Sequence, residues 1–452
     1  MKKFIYTKLI ICLLISMSAC RKFVEVPPVD SRVLRFTNDY QLLMQNTSSF
    51  DNAYYSPIFA GDDVGTDDAR WQNSLAEPAR NAFTWASNIY ISNEDVDWAK
   101  MYAQILICNT VASGVMKSEG GTEAEKQKAL SYALVQRAFS YYVLINIYAK
   151  QYDPATSSTD LGVPLVLEPK FFTDLTRPSV QKVYDQINSD LNSALNGLNN
   201  LPDFNSNPSK AAVYSLLARI YLNMRNFPEA SRNADLALGL QSGLLDLNDY
   251  VKTPTSIPTR LLNPEEIFFK QTNGFPVTYP LSTDAINMYD PTDIRFQIFT
   301  KDGATVPGSN FTTRAYFRQR LLNDGNYVGT SVPEMILIKA ECTARAGNAA
   351  AAVQILNSLR IKRFEKAKYT DLQTNNANTA LHMVTDERKR EFAGRGFRWF
   401  DQRRLSKDPG FVSTVTRVFK GVTYKIDPGA NRYTYPIADK YILLNPEILQ
   451  NP

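Results

Sequence analysis

The chain has 452 residues, 44% of them hydrophobic and 21% charged, so it can bury a large core and is neither disordered nor collagen-like. Its 50 basic and 45 acidic side chains give a net charge of +5, and loss of a leader carrying Lys2, Lys3 and Lys8 lowers the balance to 47 against 45, which argues against electrostatic capture of nucleic acid. One histidine, His382, excludes a multi-histidine metal site and restricts any Ser-His-Asp triad to that residue.

The three lysines precede an apolar run over residues 9–17, followed by Ser18, Ala19 and Cys20. The run is too short to span a bilayer and reads as a secretory signal over residues 1–19. Met17-Ser18-Ala19-Cys20 resembles a bacterial lipobox, which implies cleavage before Cys20 and attachment of palmitate-class acyl chains to it. Each buried methylene contributes about 0.8 kcal/mol, so several chains on one residue hold a domain firmly to a membrane. Residues 20–36 then form a tether stiffened by Pro27 and Pro28. Cys12 leaves with the leader, while Cys108 and Cys342 lie in apolar helical contexts and read as buried thiols rather than a disulfide.

A helix is predicted over residues 37–46, capped by Thr37 or Asn38, and a long irregular stretch rich in aromatics and acids follows at 50–92. Residues 93–117 form an amphipathic helix with Trp98 in the core. Residues 123–150 form another, with Leu134, Ala138, Tyr141, Leu144, Ile145 and Tyr148 on its apolar face. A strand-like run at 160–169 interrupts the helical period, which resumes over 177–198 after Pro178.

Residues 209–240 carry the spacing of a packed helical hairpin: Tyr214, Leu217, Ala218 and Tyr221 on one face, a turn at 225–228, then Ala230, Ala234, Ala237 and Leu238. This resembles a tetratricopeptide (TPR) repeat, a unit that needs neighbours to bury its apolar face. A second copy lies 122 positions on, with Ala340 matching Ala218, Asn348 matching Asn226 and Ala352 matching Ala230. Between them, 241–330 is rich in Pro, Gly, Asn, Thr and aromatics and has no sustained helical period. A fourth long helix is predicted at 384–406, its basic side chains self-paired through Glu387 with Arg390 and Glu391 with Arg395 on a solvated face, and Phe392, Trp399 and Phe400 inward. The remainder reads as a small β-containing tail.

The predicted fold is therefore mainly α: one domain over 37–452, with TPR-like pairs near 123–198, 209–240, 333–364 and 384–406 and loop-rich insertions near 50–92 and 241–330. The ligand is expected between residues 61–90 and 270–315, where aromatics are concentrated outside the helical pairs. Trp71 is the first candidate, a broad ring beside Asp67, Arg70 and Asn73 that suits a sugar platform, with Tyr279 and Tyr289 from the second block. The other reading of Trp71 is a plug that seals the loop into the core. Asp62, Asp63, Asp67 and Asp68 are solvated acids, oxygen ligands for a structural Ca²⁺ ion, or a carboxylate pair of a secreted glycoside hydrolase. No other cofactor is indicated.

Taken in order, several segments are similar to the SusD/RagB family of outer-membrane nutrient-uptake lipoproteins. They are the lipobox cysteine followed by FVEVP at 23–27, GVPLV at 162–166, RPSVQKVYDQINSDL at 177–191, SKAAVYSLLARIYL at 209–222, PEMILIKAE at 333–341, ERKREFAGRGFRWFDQRR at 387–404, and YPI with a later NP at 435–446. The resemblance implies TPR-like pairs packed against a loop-rich face, glycan or oligosaccharide binding without catalysis, and a SusC-like TonB-dependent transporter as partner. It also implies a lipid-anchored protein of the Gram-negative outer membrane, exposed at the cell surface. Two departures stand out: Arg395 occupies a position where the family often has Glu, and Arg21-Lys22 follow Cys20 in place of an acidic run. A hydrolase and a TPR-type interaction scaffold without a small ligand are the rival functions. If Cys20 carries the anchor, Cys20→Ala is expected to move the protein from the membrane to the soluble fraction after carbonate washing. Retention of the variant in the outer membrane would refute the lipid anchor.

Overall fold

A computed structural model describes residues 34–170, 174–274 and 278–451; the leader, Cys20 and most of the tether lie outside the described residues. Helix dominates. The first helix among the described residues, α1 (Thr37–Met44), starts one residue earlier than a Thr37 cap would allow, because Asp39 reaches back to accept from the backbone N–H groups of Arg35 and Phe36. Helix α2 (Val96–Gly114) is capped by Asp95, and α3 (Glu123–Tyr148) by a Thr122/Glu125 capping box. Helix α4 (Val180–Ala194) is capped by Ser179, and both α2 and α4 pack on α3, whose residues from 131 to 148 are all buried. Trp98 lies inside this core, edge-on to Tyr148 at 5.1 Å. The 160–169 run joins no sheet. Side chains satisfy part of its backbone: Tyr141 donates its hydroxyl to the Val166 carbonyl and accepts the Val166 N–H, each at 2.7 Å.

The repeat register survives in three dimensions. Helices α5 (Lys210–Asn223) and α6 (Phe227–Leu240) form one hairpin, and α7 (Val332–Arg345) and α8 (Ala349–Arg360) form the other. Asn226 and Asn348 cap the second helix of each pair, accepting from Glu229 N and Ala351 N. The residue before each cap is left-handed, Arg225 at φ 62° and Gly347 at φ 87°. Ala211, Ala218, Ala230, Ala234 and Ala237 let the first hairpin close against Val332, Met335, Ile338 and Cys342 of the second, giving TPR-like stacking. Cys108 and Cys342 are free and buried.

The predicted helix over 384–406 is two helices, α9 (Ala377–Glu391) and α10 (Phe397–Leu405). Gly394 and Gly396 break it at φ 73° and 78°. Neither position has room for a side chain: a Cβ on Gly396 would sit 2.7 Å from the Tyr54 ring, and one on Gly394 would sit 2.9 Å from the Tyr279 hydroxyl. The basic face is also not solvated, since Arg388, Arg398, Arg403 and Arg404 are buried. Glu387 pairs with Arg390 at 2.9 Å as expected, but Glu391 turns to Arg295 and Arg363, and Arg395 donates to the Tyr327 carbonyl. Phe392 and Trp399 are buried as predicted, while Phe400 is half-buried.

The strands are short. β1 (Glu266–Phe268) pairs with β5 (Thr330–Ser331), and β4 (Arg314–Tyr316) lies between β2 (Tyr279–Pro280) and β3 (Thr300–Asp302), all antiparallel. β6 (Val415–Phe419) and β7 (Val422–Ile426) form a hairpin whose two-residue turn has Lys420 at φ 48° and Gly421 at φ 79°.

A line of buried ion pairs ties the repeats together. Arg219 on α5 meets Glu334 on α7 at 2.5 Å, and Glu334 contacts Arg388 on α9 at 3.3 Å. Arg388 holds Asp401 on α10 at 2.9 Å, Asp401 holds Arg404 at 2.7 Å, and Arg404 returns to Glu341 on α7 at 2.6 Å. Desolvating so many charges offsets most of their attraction, so the line fixes helix register more than it adds stability. Removing one member leaves its partner charged and buried. Glu334→Ala is therefore expected to cost about 3–5 kcal/mol, and Arg219→Met with Glu334→Leu much less, in urea denaturation. Equal losses in the two variants would contradict this account.

Candidate ligand-binding site

The 50–92 stretch is less irregular than its composition suggests, because it contains the short helices Pro57–Ala60, Ala69–Ser74 and Glu77–Phe83. Asp68 caps the second of these by accepting from Arg70 N at 3.0 Å, and the Arg70 side chain folds back onto Asp68 at 3.2 Å. Arg70, Asn73 and Asp67 are exposed. Trp71 is not. With only 4% of its surface exposed, it packs edge-on against Phe83 at 5.2 Å, and Phe83 in turn meets Phe419 of the hairpin at 6.0 Å. The adjacent Gln72 fastens the hairpin: its amide donates to the Thr66 and Val418 carbonyls and its oxygen accepts from Lys420 N at 2.7 Å. The expected platform is thus corrected to a plug, because the ring fills the space that the helix and the hairpin leave between them.

The two tyrosines are corrected as well. Tyr279 is 1% exposed on β2, its ring 5.3 Å from Tyr316, and its hydroxyl donates to the Gly394 carbonyl. Tyr289 is half-buried, donates to the Arg390 carbonyl at 2.6 Å and lines a separate cavity of 60 Å³. Neither presents a free ring face with an unspent hydroxyl.

The structure instead brings together a cleft of 390 Å³ bounded by residues 62–67 except Asp63, by 281–284, by Thr313 and by 413–418, with Phe83 in its wall. Residues 62–65 and 280–282 are joined side by side, with Val64 bridged to Leu281. Gly65 N donates to the Pro280 carbonyl at 3.1 Å, Ser282 N to the Asp63 carbonyl at 3.0 Å, and the Ser282 hydroxyl to the Asp62 carbonyl at 2.6 Å. The third wall is held by Arg417, which donates to the carbonyls of Phe59 at 2.9 Å, Phe83 at 2.7 Å and Gly61. Its guanidinium lies over the Phe83 and Trp85 rings, 4.3 and 4.5 Å from their centroids. Burial lowers its pKa to about 10, since neutral carbonyls only partly replace the lost water.

The four loop aspartates have separate fates. Burial works against the charge on Asp62, yet bidentate contact with Arg398 at 2.6 and 2.9 Å draws its carboxyl below the usual range. Asp63 is pushed up to about 6 by burial and by the charge of Asp62, while one of its oxygens accepts from Gly394 N at 2.7 Å. Asp68 is spent on Arg70. Of these four, only Asp67 faces the cleft unpaired among the described residues. The expected hydrolase pair is therefore not assembled from these four. No group of three or more His, Cys, Asp or Glu side chains converges among the described residues.

Of the candidate residues, then, Asp67 lines the cleft, and Trp71, Arg70, Asn73, Tyr279 and Tyr289 do not. The residues that sequence reasoning missed are mostly hydroxyls: Thr66, Ser282, Thr283, Thr313, Ser413, Thr414 and Thr416, with Asp284. The readable signal was the alternation over 414–419, where Thr414, Thr416 and Val418 are exposed and Arg417 and Phe419 turn toward Phe83. Because Trp71 is interior, Trp71→Ala is expected to lower stability by roughly 3–5 kcal/mol in urea denaturation. An unchanged unfolding midpoint would restore the platform reading.

Among the described residues no helix is long and apolar enough to cross a membrane. Residues 31–222 match a SusD-like family profile described as "Starch-binding associating with outer membrane", and residues 332–452 match a profile of the SusD family. A comparison with curated proteins finds no match. Among solved structures, a SusD superfamily protein from Bacteroides thetaiotaomicron superposes with a TM-score of 0.74 at 20% identity, covering 92% of this chain and 100% of the other. A putative sugar binding protein from Bacteroides vulgatus gives 0.75 at 21% identity, with 93% and 99% covered. A laminarin binding SusD-like protein gives 0.67 at 18% identity, with 92% and 98% covered. The two profiles, in chain order on a fold of stacked TPR-like pairs, establish that this chain belongs to the SusD/RagB family.

Proposed function

We propose that this chain is a glycan-binding lipoprotein of the outer membrane, anchored through Cys20, that takes up oligosaccharides in the hydroxyl-lined cleft and passes them to a SusC-like TonB-dependent transporter. The observation that carries this reading is the cleft itself: 390 Å³ is room for a few sugar units, and its walls offer hydroxyls and carboxylate oxygens that suit sugar hydroxyls. Phe83 adds an apolar surface. Support comes also from the family profile that names starch binding at the outer membrane and from relatives named for sugar and laminarin binding. The helical pairs give a rigid surface of the kind that repeat proteins use for extended protein contacts.

On this reading the protein binds and does not cleave. Asp62, Asp63 and Asp68 are tied to Arg398, Gly394 and Arg70, which leaves a hydrolytic mechanism without a paired acid and base among them. Incubation of the purified protein with a glycan panel should give binding without new reducing ends, and a pull-down from native membranes in mild detergent should recover a large β-barrel partner. New reducing ends would overturn the first part. Recovery of the protein alone at every detergent strength would overturn the second.

A further inference from the structure

The walls of the cleft are chemically uneven. Hydroxyls donate and accept, so they are indifferent to the sign of a ligand's charge, whereas a carboxylate only accepts. Asp67 and Asp284 stand on two different wall segments, both exposed and neither hydrogen-bonded nor ion-paired among the described residues. Asp62 is neutralised by Arg398. Among the described residues the single cation in the lining is Arg417, and both of its terminal nitrogens are spent on main-chain carbonyls. Elsewhere in the lining the Thr313 hydroxyl oxygen is buried and has no partner among the described residues.

Resting on the glycan-binding reading above, we propose that the cleft selects by charge, admitting neutral and amino-bearing sugar units and rejecting glycans that carry carboxylate or sulfate groups. Sugar hydroxyls and ammonium groups can donate to Asp67 and Asp284. The carboxylate of a uronate cannot: two acceptor-only groups repel, and among the described residues no free guanidinium or ammonium in the lining relieves them. The same two carboxylates strengthen binding of an amino sugar most at low ionic strength, because exposed charges are screened within about 10 Å at 0.1 M salt.

The test is an array of malto-, laminari- and cello-oligosaccharides, chitosan oligosaccharides, oligogalacturonates and alginate oligosaccharides, probed with the detergent-solubilised mature chain at low and high salt. Binding is expected on neutral or amino-bearing members and not on the two uronate series. Asp67→Asn combined with Asp284→Asn is expected to raise uronate signals about tenfold at low salt, an effect that shrinks at high salt. Uronate signals equal to or above the neutral ones in the unaltered protein would overturn the charge rule while leaving glycan binding intact. Unchanged discrimination in the double variant would overturn its assignment to these two carboxylates. Silence on every sugar would instead overturn the glycan-binding reading itself.

Discussion

The loop face is held to the helical scaffold by the short turn between α9 and α10. Gly394 donates its N–H to Asp63 and accepts from Tyr279 and Asn326 through its carbonyl, while the Arg395 carbonyl accepts from Tyr54 at 2.9 Å. Four side chains thus converge on the three peptide units that link Ala393 to Gly396. The left-handed φ values at Gly394 and Gly396 are what permit this approach, and any other residue would meet Tyr279 or Tyr54 at less than contact distance. Asp63 links the turn directly to the cleft, since its backbone carbonyl holds Ser282 while its side chain holds Gly394. The position of the cleft walls therefore follows from the geometry of this turn.

Arginine does two different jobs around it. Within the repeats, Arg219, Arg388 and Arg404 face carboxylates and sit in a line of compensated charge. At the cleft, Arg417 has carbonyls in place of carboxylates and stacks between Phe83 and Trp85. A guanidinium spreads its five N–H donors over a wide planar fork and so reaches three carbonyls while staying close to two rings, which the compact ammonium of lysine does not match.

The helical half of the protein was largely legible in its sequence. Alanine spacing over 209–240 and its echo 122 residues on gave both hairpins, and even the capping asparagines at 226 and 348 kept their register. Periodicity is a local signal, and these elements are local. The basic run over 387–404 misled for the opposite reason: its partners, Glu334, Glu341 and Asp62, come from distant segments, so nothing nearby showed that the arginines are buried. The candidate site was legible as a region and not as residues. Aromatic enrichment pointed to the loop blocks, but Trp71 and Tyr279 are aromatic because they seal those blocks together. The cleft is lined by small hydroxyl residues, whose one readable mark is the alternation over 414–419, and that wall comes from the tail.

The origin of that wall bears on the order in which the protein takes shape. The hydrogen bond from Ser282 to Asp62 closes a separation of 220 residues, and the one from Arg417 to Gly61 closes 356. Contacts of such length lose the most chain entropy on closure and form after local ones, whereas the helical hairpins can assemble as they leave the ribosome. Until residue 418 has been synthesised, the Phe83 and Trp85 rings lack the guanidinium that covers them and the cleft lacks a side. A chain stopped before the β6–β7 hairpin would lack one wall of the cleft.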